Sequence, residues 1–377
     1  MSTIKVTNVN PPTAGNAVNI NGLAYPTAGP LSSRNLIVNG AMAVAQRGTS
    51  STSVGYQTVD RFRNITTTLT ATQSQQSLSS GDPYDEGFRF FYRQENTSTS
   101  TAAGARISVY QRIENQDISQ SGWNYTDSNS YITLSFWVRA SVAQTYYAQI
   151  TTQDTSGYNY PMSFALSADT WTKVTKQIPG NSNLSFTTGT DIGLALFFVP
   201  FFGTDRTDSG VSVDTWAAYA NGTQLPDMTT TWANTSNATF DITGVQLEVG
   251  QVATPFEHRS YGDELRRCQR YYQRIVSDSN SDPIGIGYNE GTTEAKVMID
   301  FPVTMRTPPS SLEQTGTASD YEVRSGSTTN CSSVPAIGPA TKNNITIIFT
   351  LSGLTDTQAN QCRFRISDKY LAWSAEL

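Results

Sequence analysis

This sequence of 377 residues contains one histidine and three cysteines. A single imidazole excludes histidine-rich metal centres and leaves one base for any Ser-His-Asp arrangement. That residue, His258, follows Pro255 and sits beside Glu257, where it reads as a structural histidine holding a turn. Cys268, Cys331 and Cys362 are odd in number and far apart, so neither a disulfide framework nor a CxxC metal clip follows; they read as free thiols, with a Cys331–Cys362 pair inside the last domain as the alternative. No P-loop, GxGxxG or GxSxG motif is present, which removes the apparatus of nucleotide and nucleophilic chemistry. Basic residues form no block outside residues 259–274 and the net charge is −6, so the broad basic surface that a wrapped nucleic acid requires is missing. No stretch reaches the ~18 apolar residues of a membrane span, and the first residues carry no charged-then-apolar leader. The expectation is a chain made in a cytoplasm, without nucleic acid and without membrane insertion.

Aromatic residues are abundant, with 18 Tyr and 16 Phe, and they suit half-buried pleated surfaces. Strand-like runs lie at residues 35–46, 59–65, 88–94, 105–113, 131–140, 146–151, 171–178, 192–199 and 238–249, separated by Gly, Ser, Asn and Asp clusters. Such a series without intervening helices predicts an all-β fold, a jelly-roll β-sandwich, and excludes a parallel α/β sheet. The alternation is clearest in YITLSFWVRA, with Ile132, Leu134, Phe136 and Val138 on one side and Thr133, Ser135, Trp137 and Arg139 on the other. Residues 241–275 end this region: Leu265, Cys268, Tyr272 and Ile275 share one helical face, and Ser260 with Asp263 forms a capping-box start. Short strand signals then recur to the end of the chain, enough for a second small β-sandwich. The expected order is an extended N-terminal arm at 1–34, the jelly roll at 35–257, a connecting helix at 258–277 and a small β domain at 278–377.

Two long connections, 73–87 and 201–232, interrupt the pattern, and loops of that length are functional or order against a neighbour. The first ends in GDPYDEG, where Asp82, Asp85 and Glu86 form the densest acidic cluster. A solvated turn, a calcium-holding loop and a carboxylate pair for glycoside hydrolysis are its three readings. No other cofactor is expected. Trp137, Trp216, Trp232 and Tyr219 are candidates to stack on sugar faces or to pack in the core or between subunits. Arg266, Arg267, Arg270 and Arg274 are candidates for an interface, paired with carboxylates of this chain or of a neighbouring subunit.

Several segments together resemble a known family. NLIVNGAMAVAQRGTS followed by YQTVDRF, then YITLSFWVRAS, DTWTKVTKQI and FDITGVQLEVGQVATPFEHRSYGDELRRCQRYYQR, resemble the jelly-roll module of bacteriophage tail-fibre and related virion proteins; IDFPVTMRTPP resembles the small β domain that often follows it. The module is similar to carbohydrate-binding jelly rolls. The resemblance implies a virion appendage subunit without enzymatic activity, a homo-oligomer and commonly a trimer, assembled in the host cytoplasm. It implies docking to other virion proteins through residues 1–34 and contact with host cell-surface glycan. A glycan-binding adhesin proper and a polysaccharide depolymerase are the alternatives.

Overall fold

The computed structural model describes residues 18–20, 23–25, 32–152 and 157–377. It is all-β, and the chain divides into two compact units, Met1–Glu264 and Leu265–Leu377. The expected arm lies mostly outside the described residues; within it Val18–Ile20 pairs antiparallel with Leu23–Tyr25.

The first unit is a sandwich of two antiparallel six-stranded sheets. Sheet I runs Thr172–Pro179, Tyr131–Ala140, Thr239–Val249, Phe90–Asn96, Ala71–Ser77 and Ser50–Ser51; sheet II runs Ala217–Ala218, Tyr158–Leu166, Gln144–Thr152, Ile192–Phe202, Arg106–Glu114 and Arg63–Thr67. Alternation decides which side chains fill the space between them. Ile132, Leu134, Phe136 and Val138 of sheet I enter one core with Tyr146, Ala148 and Ile150 of sheet II. Phe136 meets Phe164 and Phe198 edge-on at 5.4 and 4.9 Å, an arrangement in which ring edges face ring faces.

Several elements depart from the sequence pattern. Residues 35–46 were expected to be a strand but form an irregular segment in which Asn39 and Met42 have positive φ. Ile37, Met42 and Val44 still enter the interior fully buried, and Gly40 lies so close to Val245 that a Cβ would meet its carbonyl oxygen. Ala71–Ser77 is a strand although its sequence is polar, because Gln73 is buried and bonds Thr58 Oγ1 and the Ser53 carbonyl instead of water. Tyr158–Leu166 is a strand outside the sequence-marked runs; its Pro161 lies beyond the two residues paired with the edge strand Ala217–Ala218 and so interrupts little of the ladder. The expected helix at 258–277 is shorter: it spans Tyr261–Gln269, and Tyr272–Val276 is a strand paired with Tyr370–Ser374. The start is as the capping residues imply, with Ser260 Oγ accepting from the Asp263 N–H and donating to the Asp263 carboxylate.

The second unit holds a seven-stranded and a three-stranded antiparallel sheet. Its core gathers Val297, Ile345, Ile347, Phe349, Phe364, Leu371 and Trp373. All three cysteines are buried thiols, and burial, with the Glu322 charge, pushes Cys331 up to about 12. Arg306 donates to the carbonyls of Ala375 and Glu376, tying the last residues to the turn before Pro308.

Candidate functional site

The outward face of sheet I carries Thr133, Ser135, Trp137 and Arg139, opposite the four core residues of the same strand. Strand register sets Trp137 beside Lys173 on one side and Thr243 on the other. Residues 78–89 fold over part of this face, so Leu78, Phe88, Phe91 and Trp137 form a second apolar cluster, packed against Tyr84, Trp171 and Phe256. Trp137 is consequently 7% exposed; its indole N–H donates to Glu86 at 3.0 Å, and the Lys173 ammonium lies 5.6 Å from its ring centre. Lys173 also bonds both Glu86 carboxylate oxygens at 2.9 Å. An open groove of about 560 Å³ runs beside them, lined by Glu86, Lys173, Thr175, Thr254, Phe256 and His258. The His258 ring is centred 5.1 Å from that of Phe88 and 4.9 Å from that of Phe256, with Nε2 3.0 Å from the Glu86 carbonyl. The groove thus offers an aromatic wall of two rings inclined at 67°, an ion pair and the Thr175 hydroxyl.

What holds this wall is the QLEVGQVATPFEHR stretch. Thr254 donates from its N–H and its hydroxyl to Glu248, which is 1% exposed, and Glu257 accepts from the N–H groups of Arg34 and Asn35 and from Arg259. Arg259 reaches Glu264 as well, and Glu264 accepts from the Asn39 N–H. The residues that made the stretch recognisable in sequence are therefore staples between residues 34–39 and 246–264. Burial opposes ionisation of Glu257, but the Asn35 N–H, the Arg259 guanidinium and the Arg34 N–H outweigh it and hold its carboxyl below the ordinary value. A folded pKa below the unfolded one, about 4.3, makes its stabilisation complete above that pH and lost as pH falls through the folded value. Melting temperatures between pH 6 and pH 3 should therefore fall less steeply for Glu257→Gln than for the wild type; parallel curves would show that Glu257 takes no part in acid lability.

The other expected site residues are dispersed. Trp232 is fully buried in the sandwich core, its indole N–H donating to the Thr239 carbonyl, and is unavailable to any ligand. Trp216 is half-buried against Tyr160 and donates to the Pro179 carbonyl at 2.7 Å. Tyr219 is 41% exposed. Asp82 and Asp85 are exposed on a single helical turn and Glu86 is taken by Trp137 and Lys173, so these three do not gather as calcium ligands; among the described residues no group of three or more metal-ligating side chains occurs. Arg266 and Arg267 lie on the helix, whereas Arg270 stands 6.0 Å over Tyr271 and Arg274 3.8 Å over Tyr370, against aromatic rings of their own unit. Sequence reasoning missed Lys173 and Phe256, because a groove between a strand and a distant turn has no local pattern; only the register of Lys173 opposite Trp137 could have signalled it.

No protein-family model and no curated protein matches this sequence. Among solved structures, the N-terminal cellulose-binding domain of Cellulomonas fimi β-1,4-glucanase C aligns at 12% identity over 56% of this chain and 99% of that one, with a TM-score of 0.29. The family 11 carbohydrate-binding module of Clostridium thermocellum, in complex with a mixed-linked tetrasaccharide, aligns at 11% identity over 56% and 98%, with a TM-score of 0.25. TmCBM61 in complex with β-1,4-galactotriose aligns at 9% identity over 57% and 98%, with a TM-score of 0.24. Superpositions this loose leave the fold to be read from the strand order itself.

Proposed function

We propose that this chain is a non-enzymatic subunit of a bacteriophage virion appendage, and that its sandwich contacts host-surface glycan through the groove beside Trp137. The observation that carries the glycan reading is the groove itself. Sugar rings present an apolar face and a rim of hydroxyls, and Phe256 and His258 supply ring surfaces where Glu86, Lys173 and Thr175 supply hydrogen-bonding groups. The virion reading is supported by the sequence resemblance across residues 35–275. In that reading residues 1–34 dock to the particle, and the subunit is a homotrimer.

Isothermal titration against host-surface polysaccharide tests the groove. Lys173→Ala and Phe256→Ala should each weaken binding on the order of tenfold, about 1.4 kcal/mol, with the circular-dichroism spectrum unchanged at 20 °C; wild-type affinity in both variants would remove the groove from recognition. Release of reducing ends by the wild type would instead favour the depolymerase alternative. Sedimentation equilibrium should return three chain masses, and a chain lacking residues 1–30 should stay folded yet fail to enter particles.

A further inference from the structure

The outward face of sheet II has a different chemistry. Along Arg106–Glu114 the outward positions are Arg106, Ser108, Tyr110 and Arg112, and register sets Arg63 opposite Tyr110 on one side and Phe197 on the other. Guanidinium groups and rings alternate across the face. Arg63 stands 5.8 Å from the Tyr56 ring and 5.7 Å from that of Tyr110, Arg112 stands 5.2 Å from Tyr110, and Arg106 stands 5.4 Å from Phe202. The Tyr110 and Phe197 rings lie 4.6 Å apart beneath them. Part of the same face is closed by the loop after Phe202, whose Leu225 joins Tyr147 and Phe197 and whose Gln224 accepts from Asn159; Arg206 projects from that loop.

Several arginines elsewhere in the sandwich have acids, Arg93 and Arg139 sharing Asp241 and Arg259 taking Glu257 and Glu264, while Arg89 rests on the Tyr84 ring and donates to the Tyr84 and Phe88 carbonyls. Among the described residues no carboxylate stands within ion-pair distance of Arg63, Arg106, Arg112 or Arg206. The nearest acids along the chain are Asp60, buried and accepting from the Gln46 N–H, Glu114, buried and accepting from Gln116, Asp205, which lies beside Gly104, and Asp208, which accepts from the Gly210 N–H. All four arginines are half-buried, and the Nε–H groups of Arg106, Arg112 and Arg206 are buried without a hydrogen-bond partner. Burial, followed by the charges of Arg206 and Arg63, lowers the pKa of Arg106. Like charges half-removed from water, with donors unused, are costly unless an anion completes them.

We infer that this face is a second binding site, and that it takes an acidic saccharide, one bearing uronate carboxylates or sulfate esters. Oxyanions match the guanidinium fork; Tyr110, Phe197 and Phe202 are buried and serve to hold the guanidinium groups, and the half-buried Tyr56 ring beside Arg63 is the aromatic surface that a sugar ring can reach. A chain of net charge −6 repels polyanions as a whole, so retention by one has to come from a local patch such as this.

Affinity electrophoresis of the full chain through gels holding polygalacturonate, dextran sulfate or neutral dextran tests this. Retardation is expected with one or both acidic polymers, weakening with salt, and not with dextran; which polymer acts identifies the oxyanion. Arg106→Gln with Arg112→Gln should lose retention at least tenfold, and so should Arg63→Gln, which guards against misfolding of the double variant. In the wild type the effective polymer should also raise the melting temperature, because a ligand of the folded state alone stabilises it. Lys173→Ala and Phe256→Ala should leave this retention intact, so that failure of the groove and failure of this face are read separately. No retardation by either acidic polymer, or retention that survives all the arginine changes, overturns the inference. So does dissociation of an oligomer by the arginine changes when the wild type is not retained, since a second copy would then be the occupant.

Discussion

Replacing Trp232 by alanine is expected to destabilise the sandwich by about 3–5 kcal/mol, the range for truncating a large buried aromatic side chain. The indole is fully buried among the core residues of both sheets, and removing it leaves a cavity that two hydrogen-bonded sheets cannot close by collapsing. Its N–H donates to the Thr239 carbonyl at 3.0 Å, at the start of the central strand Thr239–Val249. Trp232→Phe should therefore cost less, roughly 1–3 kcal/mol, since much of the apolar volume stays and the Thr239 carbonyl loses one donor while keeping the Ser141 N–H. Urea titration followed by tryptophan fluorescence measures both. A loss below about 1 kcal/mol for the alanine variant would place the ring at the surface, where a ligand could stack on it.

Asp241→Ala should be nearly as damaging, at about 3 kcal/mol, the low end of the range for removing one partner of a buried ion pair. Asp241 is fully buried and lies between Arg93 and Arg139 on the two neighbouring strands. Arg93 bonds it at 2.8 and 2.9 Å and Arg139 at 3.0 and 2.7 Å, so one carboxylate joins three strands through two guanidinium forks. The low end applies because the two arginine side chains remain about a quarter exposed (27% and 26%) and water reaches them once the acid is gone. In a double-mutant cycle Arg93→Ala in the Asp241→Ala background should cost far less than in the wild type. Additive losses would mean that the pair contributes nothing beyond packing.

The two variants separate what local pattern can reveal from what it cannot. Trp232 sits in a stretch without periodicity, and in sequence it was as good a sugar platform as Trp137. Burial in a core assembled from distant strands decided otherwise. Asp241 was visible as the start of an alternating strand, but the arginines that flank it come from residues more than a hundred positions earlier. Tyr131–Ala140 was legible to the residue because one face is apolar throughout and the period of two admits a single register. Residues 35–46 misled because Ile37, Met42 and Val44 reach the core from an irregular segment, and the three-four-three spacing of Leu265, Cys268, Tyr272 and Ile275 misled because pairing with Tyr370–Ser374 outweighs a helical pattern.

By itself the sequence determined the class of this protein. Aromatic-rich alternating runs without intervening helices can bury their apolar sides only in stacked antiparallel sheets, and the helix Tyr261–Gln269 starts where Ser260 and Asp263 place it. The tertiary structure alone decided which polar and aromatic side chains stand together. Lys173 with Glu86 and Phe256, and Arg63 with Tyr110 and Arg112, meet through strand register and loop placement. Those contacts are set by long-range pairing, which leaves no period in the sequence, so the sites of an antiparallel sandwich appear only once its sheets have closed.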